Sequence, residues 1–330
     1  MGTSIDSLPR VLRLHAAAAA VLALIHGTAS AATQPAELSA PLIQTAVSAA
    51  AFDANQRGLT GTWYNPSTSG QGLVIEVYPD KAGGLAGLFG GSFTFDSLGN
   101  PQWRTLQGQL ASADGATYTL DIYTNTGGNF NALPKATAVA DGTATLTFFD
   151  CGHAALAYQF ADGTSGTIDE VNLVGSTGCS NQVPLPTIYF TPFGFEKALL
   201  SGAWYDPQTS GQGFVFNISP GQSLLFGAWY TYAPQAEGQT REASQRWFTL
   251  QAPYTYTYPG LGVAQIPIYA VTGGRFNEAT STTKLQVGVA DITFASCTAM
   301  TVNYTFTQGE FAGLSGSINE QKLVPNPSCH

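Results

Sequence analysis

Apolar and polar side chains alternate with a period of two over much of the chain beyond residue 60. Leu73, Ile75 and Val77 are interleaved with Val74, Glu76 and Tyr78; Tyr118, Leu120 and Ile122 with Thr119, Asp121 and Tyr123; Ala144, Leu146 and Phe148 with Thr145, Thr147 and Phe149. Successive side chains of a strand point to opposite faces, so this pattern predicts strands with one buried face. Turn residues interrupt the runs at 80–84, 97–101, 111–115, 127–131 and 162–166. Together they predict strands beginning near residues 60, 71, 86, 101, 116, 138, 153 and 165, with no helix between them.

The pattern is then written a second time. GTWYNPSTSGQG, Gly61 to Gly72, returns as GAWYDPQTSGQG, Gly202 to Gly213, with nine of twelve positions identical. TGG-x-FN at Thr126 to Asn131 recurs at Thr272 to Asn277, and Tyr158-x-Phe160 recurs as Tyr304-x-Phe306. The apolar face survives too, with Phe214, Phe216 and Ile218 against Val215, Asn217 and Ser219. A repeat of this length marks one structural unit present twice. Short connections favour antiparallel meanders, and about eight strands close on themselves without leaving an edge. The expected fold is all-β, with two tandem eight-stranded antiparallel up-and-down β-barrels over 59–180 and 200–330. A linker at 181–199, containing Pro184, Pro186 and Pro192, joins them. A single outer-membrane barrel of sixteen strands is a further reading, because alternation does not say which face points inward.

Gly61-Thr62-Trp63 and Gly202-Ala203-Trp204, each opening the first strand of a meander, resemble the G-x-W start of the calycins, the lipocalin and avidin group. LTGTWYN is similar to the first strand of avidins. The resemblance implies calycin-like barrels with Trp63 and Trp204 packed inside near one end. The loop after Asn65 runs PSTSGQG and departs from the avidin pattern, so biotin binding is not implied. The repeat as a whole resembles the G-x-W-x-x-P-x-x-S-G-x-G units of uncharacterised secreted bacterial proteins, a likeness that brings no activity with it.

The N-terminus adds a destination. Arg10 and Arg13, an apolar core from Ala16 to Ile25 and the small-x-small site Ala29-Ser30-Ala31 match a secretory signal over 1–31, followed by a linker over 32–58. The mature chain is therefore expected to be exported, to the periplasm or the extracellular space. Charged residues are few (10%), and the net charge of -9 argues against nucleic acid and anionic membranes as partners.

Four cysteines, Cys151, Cys179, Cys297 and Cys329, allow three pairings. Alignment of the copies sets Cys151 opposite Cys297 and Cys179 opposite Cys329. A unit that once stood alone pairs its own two, giving Cys151–Cys179 and Cys297–Cys329, one disulfide per barrel. No C-x-x-C or neighbouring histidine pair suggests a metal.

Catalytic chemistry finds little support. Beyond the signal only His153 and His330 remain, and their surroundings do not correspond between copies; His153 reads as a turn residue. Glu76 becomes Asn217, Asp121 becomes Pro267 and Asp169 becomes Asn319, which leaves Glu170 and Glu320 as the one shared carboxylate. One acid per copy is not a glycosidase pair, and these two are expected to be solvated or cross-strand partners. No enzyme, cofactor or metal is expected.

The shared features are instead aromatic residues, glycines and a serine-glutamine turn. Tyr158, Phe160, Tyr304 and Phe306 lie on the apolar face and read as core. Trp103, Trp229 and Trp247 are ambiguous in face, and Trp229 stands opposite Ser92. The SGQG turn either permits close strand approach or offers Ser and Gln to a ligand. Tyr64, Ser69, Gln71 and Tyr123, with Tyr205, Ser210, Gln212 and Tyr269 in the second copy, are duplicated yet off the apolar face or in a turn, and are the candidate ligand contacts. The expectation is a binding protein for a glycan, peptide or small apolar ligand. The alternative is a structural or adhesive surface protein that binds a protein partner.

Overall fold

The structure, a computed structural model, describes residues 52–79, 84–113, 115–175, 178–181, 198–235, 244–254 and 261–325. The expected signal at 1–31, most of the linker at 32–58 and most of that at 181–199 lie outside the described residues, as do Cys329 and His330.

In the first copy the strands are β1 (Gly61–Tyr64), β2 (Gly72–Tyr78), β3 (Gly87–Phe95), β4 (Pro101–Leu110), β5 (Thr117–Thr126), β6 (Thr137–Phe148), β7 (His153–Phe160) and β8 (Ser165–Asn172). In the second they are β9 (Gly202–Tyr205), β10 (Gly213–Ser219), β11 (Leu224–Tyr232), β12 (Gln245–Pro253), β13 (Leu261–Thr272), β14 (Thr283–Phe294), β15 (Ala299–Phe306) and β16 (Ser315–Lys322). Within each copy all pair antiparallel with their sequence neighbours. β1 closes on β8, and β9 on β16, giving two barrels of eight strands rather than one ring of sixteen.

Each barrel is stoppered at one end by the chain that leads into it. Trp63, 1% exposed, donates its indole N–H to the Leu59 carbonyl at 3.2 Å, and Trp204 repeats this with Leu200 at 3.0 Å. Tyr118 donates its hydroxyl to the Ala54 carbonyl at 2.7 Å, tying the same lead to the first barrel's core. A Cys151–Cys179 disulfide spans a Cα separation of 5.8 Å and closes a loop of 28 residues, a constraint of about 3 to 4 kcal/mol on the unfolded chain. Cys297 has no free thiol, and its expected partner Cys329 lies outside the described residues.

The described residues of the two copies form a single compact unit, because part of the outer face of β2–β4 and β9–β13 is packed rather than wet. Val74, Phe93, Phe95 and Trp103 of the first copy pack with Val215, Phe226, Tyr230, Tyr232 and Trp247 of the second in one apolar cluster. Every residue of β10 is buried, and so are the five central residues of β2. Such strands bury both faces. Trp103 and Trp247, ambiguous in the sequence, point outward into this shared layer, whereas Trp229 points into the second barrel.

Candidate functional site: the junction of the two barrels

The duplicated turn after the first strand is built by local chemistry. Asn65 and Asp206 each accept the backbone N–H two residues on, at 2.8 Å, which starts a short 3-10 turn at Pro66–Thr68 and Pro207–Thr209. Gly70 and Gly211 then take φ of +92° and +91°, where a side chain is strained. A Cβ at Gly211 meets that of Ala136 at 2.5 Å, so glycine also lets a hairpin of the other copy approach.

Gln71 and Gln212 were expected to face a ligand; both are 8% exposed and are held by the opposite copy. Gln71 donates to the Arg275 carbonyl at 3.1 Å and accepts from the Asn277 N–H at 3.2 Å and the Thr94 hydroxyl at 2.6 Å. Gln212 donates to the Asn129 carbonyl at 2.8 Å and accepts from the Asn131 N–H at 3.1 Å and the Thr231 hydroxyl at 2.8 Å. The two repeated motifs, SGQG and TGG-x-FN, are therefore donor and receiver of one reciprocal contact. An amide with both ends satisfied in a buried site costs more to remove than an exposed one, which suits a tether.

The aromatic residue of each TGG-x-FN loop completes the exchange. Phe130 of the first copy enters the second barrel, with ring centroids 4.9 Å from Phe311, 5.6 Å from Trp229 and 5.7 Å from Tyr304. Phe276 of the second copy covers the first barrel, 5.4 Å from both Tyr158 and Phe160. The tryptophans repeat the reciprocity: Trp103 donates to the Thr231 carbonyl at 3.0 Å and Trp247 to the Thr94 carbonyl at 2.7 Å.

A groove opens at this junction, with a volume of about 290 Å³. It gathers four of the eight expected contacts, Tyr123 from one barrel and Tyr205, Ser210 and Gln212 from the other. Trp103 and Asn125 line it as well. Tyr123 is placed by a slip in strand register, since Ile122 pairs with Gly142 but Tyr123 with Ala140. Tyr205 accepts from the Gln321 amide at 3.0 Å. Tyr64, Ser69, Gln71 and Tyr269 hold the reciprocal positions. There Lys284, the counterpart of Ala138, lies 4.3 Å from the Tyr269 ring centroid, and the Ser69 carbonyl accepts from the Thr282 hydroxyl at 3.4 Å.

Two features were missed from the sequence. Glu76 and Lys322, 0% and 3% exposed, pair across the junction at 3.2 Å. Glu76 also accepts from the Ala203 N–H at 3.2 Å, Lys322 donates to the Ser201 carbonyl, and Arg57 stands 3.7 Å from the carboxylate. Burial holds Lys322 below the usual lysine range against the pull of Glu76. The reciprocal position has Asn217 for Glu76 and Asn172 for Lys322, so the charge is confined to one side.

The second concerns Glu170 and Glu320, which are not solvated. They point into the barrels at 3% and 5% exposure, and Oε2 of each has no hydrogen-bond partner among the described residues. Burial pushes both carboxyls up to about 8, with Asp169 and Asp206 adding to the shift. Ile168 and Ile318, two residues before them on the same strand face, were the available signal.

Comparison of the chain with protein-family models, with curated proteins and with solved structures found no match.

Proposed function

We propose that the chain is an exported, non-catalytic binding protein that takes a glycan or a peptide in the groove between its barrels. The observation that carries this reading is the meeting of Tyr123 with Tyr205 and Ser210 in one half-open groove of about 290 Å³, each tyrosine only half buried. Aromatic faces beside hydroxyl and amide groups suit ligands with an apolar face and a polar edge. A small lipophilic ligand is less well served. The second barrel is packed with Phe130, Trp229, Phe248, Phe306 and Phe311, and the first leaves a space of about 50 Å³. The buried tryptophan of each G-x-W start, bonded to the chain that stoppers the barrel, supports reading both units as calycin-like.

Titration of the mature chain with oligosaccharides, peptidoglycan fragments and short peptides tests the proposal. Tyr123→Ala and Tyr205→Ala are expected to weaken binding at least about tenfold, or about 1.4 kcal/mol, with the melting temperature nearly unchanged. If both variants bind as the parent does, the groove is not the site.

A further inference from the structure

The duplication supplies an internal control for the interior of the first barrel. Both barrels share Tyr158-x-Phe160 or its counterpart Tyr304-x-Phe306, a phenylalanine inserted from the other copy, and a buried glutamate. Among the interior positions that differ around the same mouth, three are apolar in the second barrel and polar in the first. Where the second barrel has Trp229, Phe248 and Val287, all in its core, the first has Ser92, Arg104 and Asp141. Trp229 fills its site, with ring centroids 4.9 Å from Phe214, 5.2 Å from Tyr304 and 5.7 Å from Phe306. The smaller Ser92 and the polar Arg104 instead border a space of about 50 Å³.

A solid mouth is thus compatible with this fold, and an apolar filling stabilises a core more than polar groups around a void do. The polar walls of the first barrel therefore need a reason other than folding. Arg104 is held in place, bonded to Asp141 at 2.5 Å and lying 4.1 Å from the Phe160 ring centroid. Glu170 borders the same space, its Oε2 without a hydrogen-bond partner among the described residues. Oε2 of Glu320 is bare in the same way, so it is the bordering space together with the bare oxygen that lets Glu170 take a partner.

We propose that this cavity is a second binding site, for a small uncharged hydroxyl or carboxamide group that bonds Glu170 beneath the Phe276 cover. The size follows from the volume. A water molecule needs roughly 10 to 15 Å³ measured this way, so the space admits about three to five such positions. The absence of net charge follows from the occupants, since Arg104 is already matched by Asp141 and burial, which pushes the Glu170 carboxyl up to about 8, favours its neutral form. A hydroxyl or a primary amide both donates and accepts, as a protonated carboxyl does. This site is separate from the groove, and the two stand or fall independently.

The test is a methyl-detected NMR titration of the mature chain with acetamide and ethylene glycol, and with methylammonium and acetate as charged counterparts. The neutral probes are expected to shift the methyls of Leu106, Ile122 and Leu156 saturably, with dissociation constants no tighter than about tens of micromolar for so few atoms. Ser92→Trp, which copies the second barrel, is expected to abolish the shifts, and Glu170→Leu to weaken them at least about tenfold. Glu170→Gln, which keeps a neutral donor and acceptor, is expected to stay within about threefold of the parent. Phe276→Ala is expected to speed probe exchange, an arm that stands even if Ser92→Trp fails to fold. The proposal is overturned if no probe shifts these methyls, if the charged probes bind more tightly, or if folded Ser92→Trp responds as the parent does.

Discussion

Glu170 and Glu320 show how far a single side chain is decided by its strand. Alternation places each on the face of Ile168 or Ile318, and closure of the barrel then takes that face out of water. The carboxylate is the charged form, so desolvation raises both groups to about 8. The unfolded chain ionises near 4.5 while the folded chain keeps its protons, so the unfolded state binds fewer protons between the two values. The stability contribution is fully present below about 4.5 and is lost as the pH rises through about 8. Each group gives a slope on the order of 1 kcal/mol per pH unit in that window. Denaturation at pH 5, 6.5 and 8 is expected to show stability falling. Glu170→Gln should remove about half of the fall and gain most over the parent at pH 8. A variant whose pH profile runs parallel to the parent's counts against a buried, protonated Glu170.

At the scale of elements, the strands of the first copy were the most legible part of the chain. They begin at 61, 72, 87, 101, 117, 137, 153 and 165, each within a residue of the positions expected from alternation and turns. The TGG-x-FN loops were visible as a repeat, but their role was not, because local sequence does not say whose barrel a loop enters. The Cys151–Cys179 bridge followed from the duplication alone. The outer faces were misjudged for a physical reason: a face that alternates away from the core is taken as wet. GLVIEVY in β2 and GFVFNIS in β10, nearly continuous in apolar residues, carried the contrary signal. Because the two plugs enter unlike sites, their truncations are expected to differ. Phe130 is 9% exposed in a dense aromatic cluster, and Phe130→Ala should cost about 3 to 5 kcal/mol. Phe276 is half buried over the polar cavity, and Phe276→Ala should cost about 1 to 2 kcal/mol. Urea denaturation of the two variants decides this, and equal losses would count against the contrast between a solid and a polar mouth.

For the whole molecule, the reciprocal contacts describe a dimer fused into one chain. Gln71 and Gln212, Phe276 and Phe130, Trp103 and Trp247 exchange places across the junction, as the two sides of an isologous interface do. The copies are not interchangeable, however. Glu76 meets Lys322 on one side where Asn217 and Asn172 stand on the other, so a pairing of two first copies takes Lys322 away from Glu76, and one of two second copies leaves Lys322 buried without its carboxylate. Breaking a buried pair by losing one partner typically costs about 3 to 5 kcal/mol. Each half alone also uncovers its share of the apolar layer, Phe95 and Trp103 on one, Tyr230 and Trp247 on the other, and loses the phenylalanine that covers its mouth. Residues 48–180 and 200–330 expressed separately in an oxidising compartment are therefore expected to be poorly soluble. Co-expressed, they should assemble one to one, with few homodimers. Lys322→Met in the second fragment should disfavour this assembly, and adding Glu76→Leu in the first should restore it. Size-exclusion chromatography with mass detection reads the outcome, and two soluble monomers that ignore each other would show that the shared layer does not hold the barrels together.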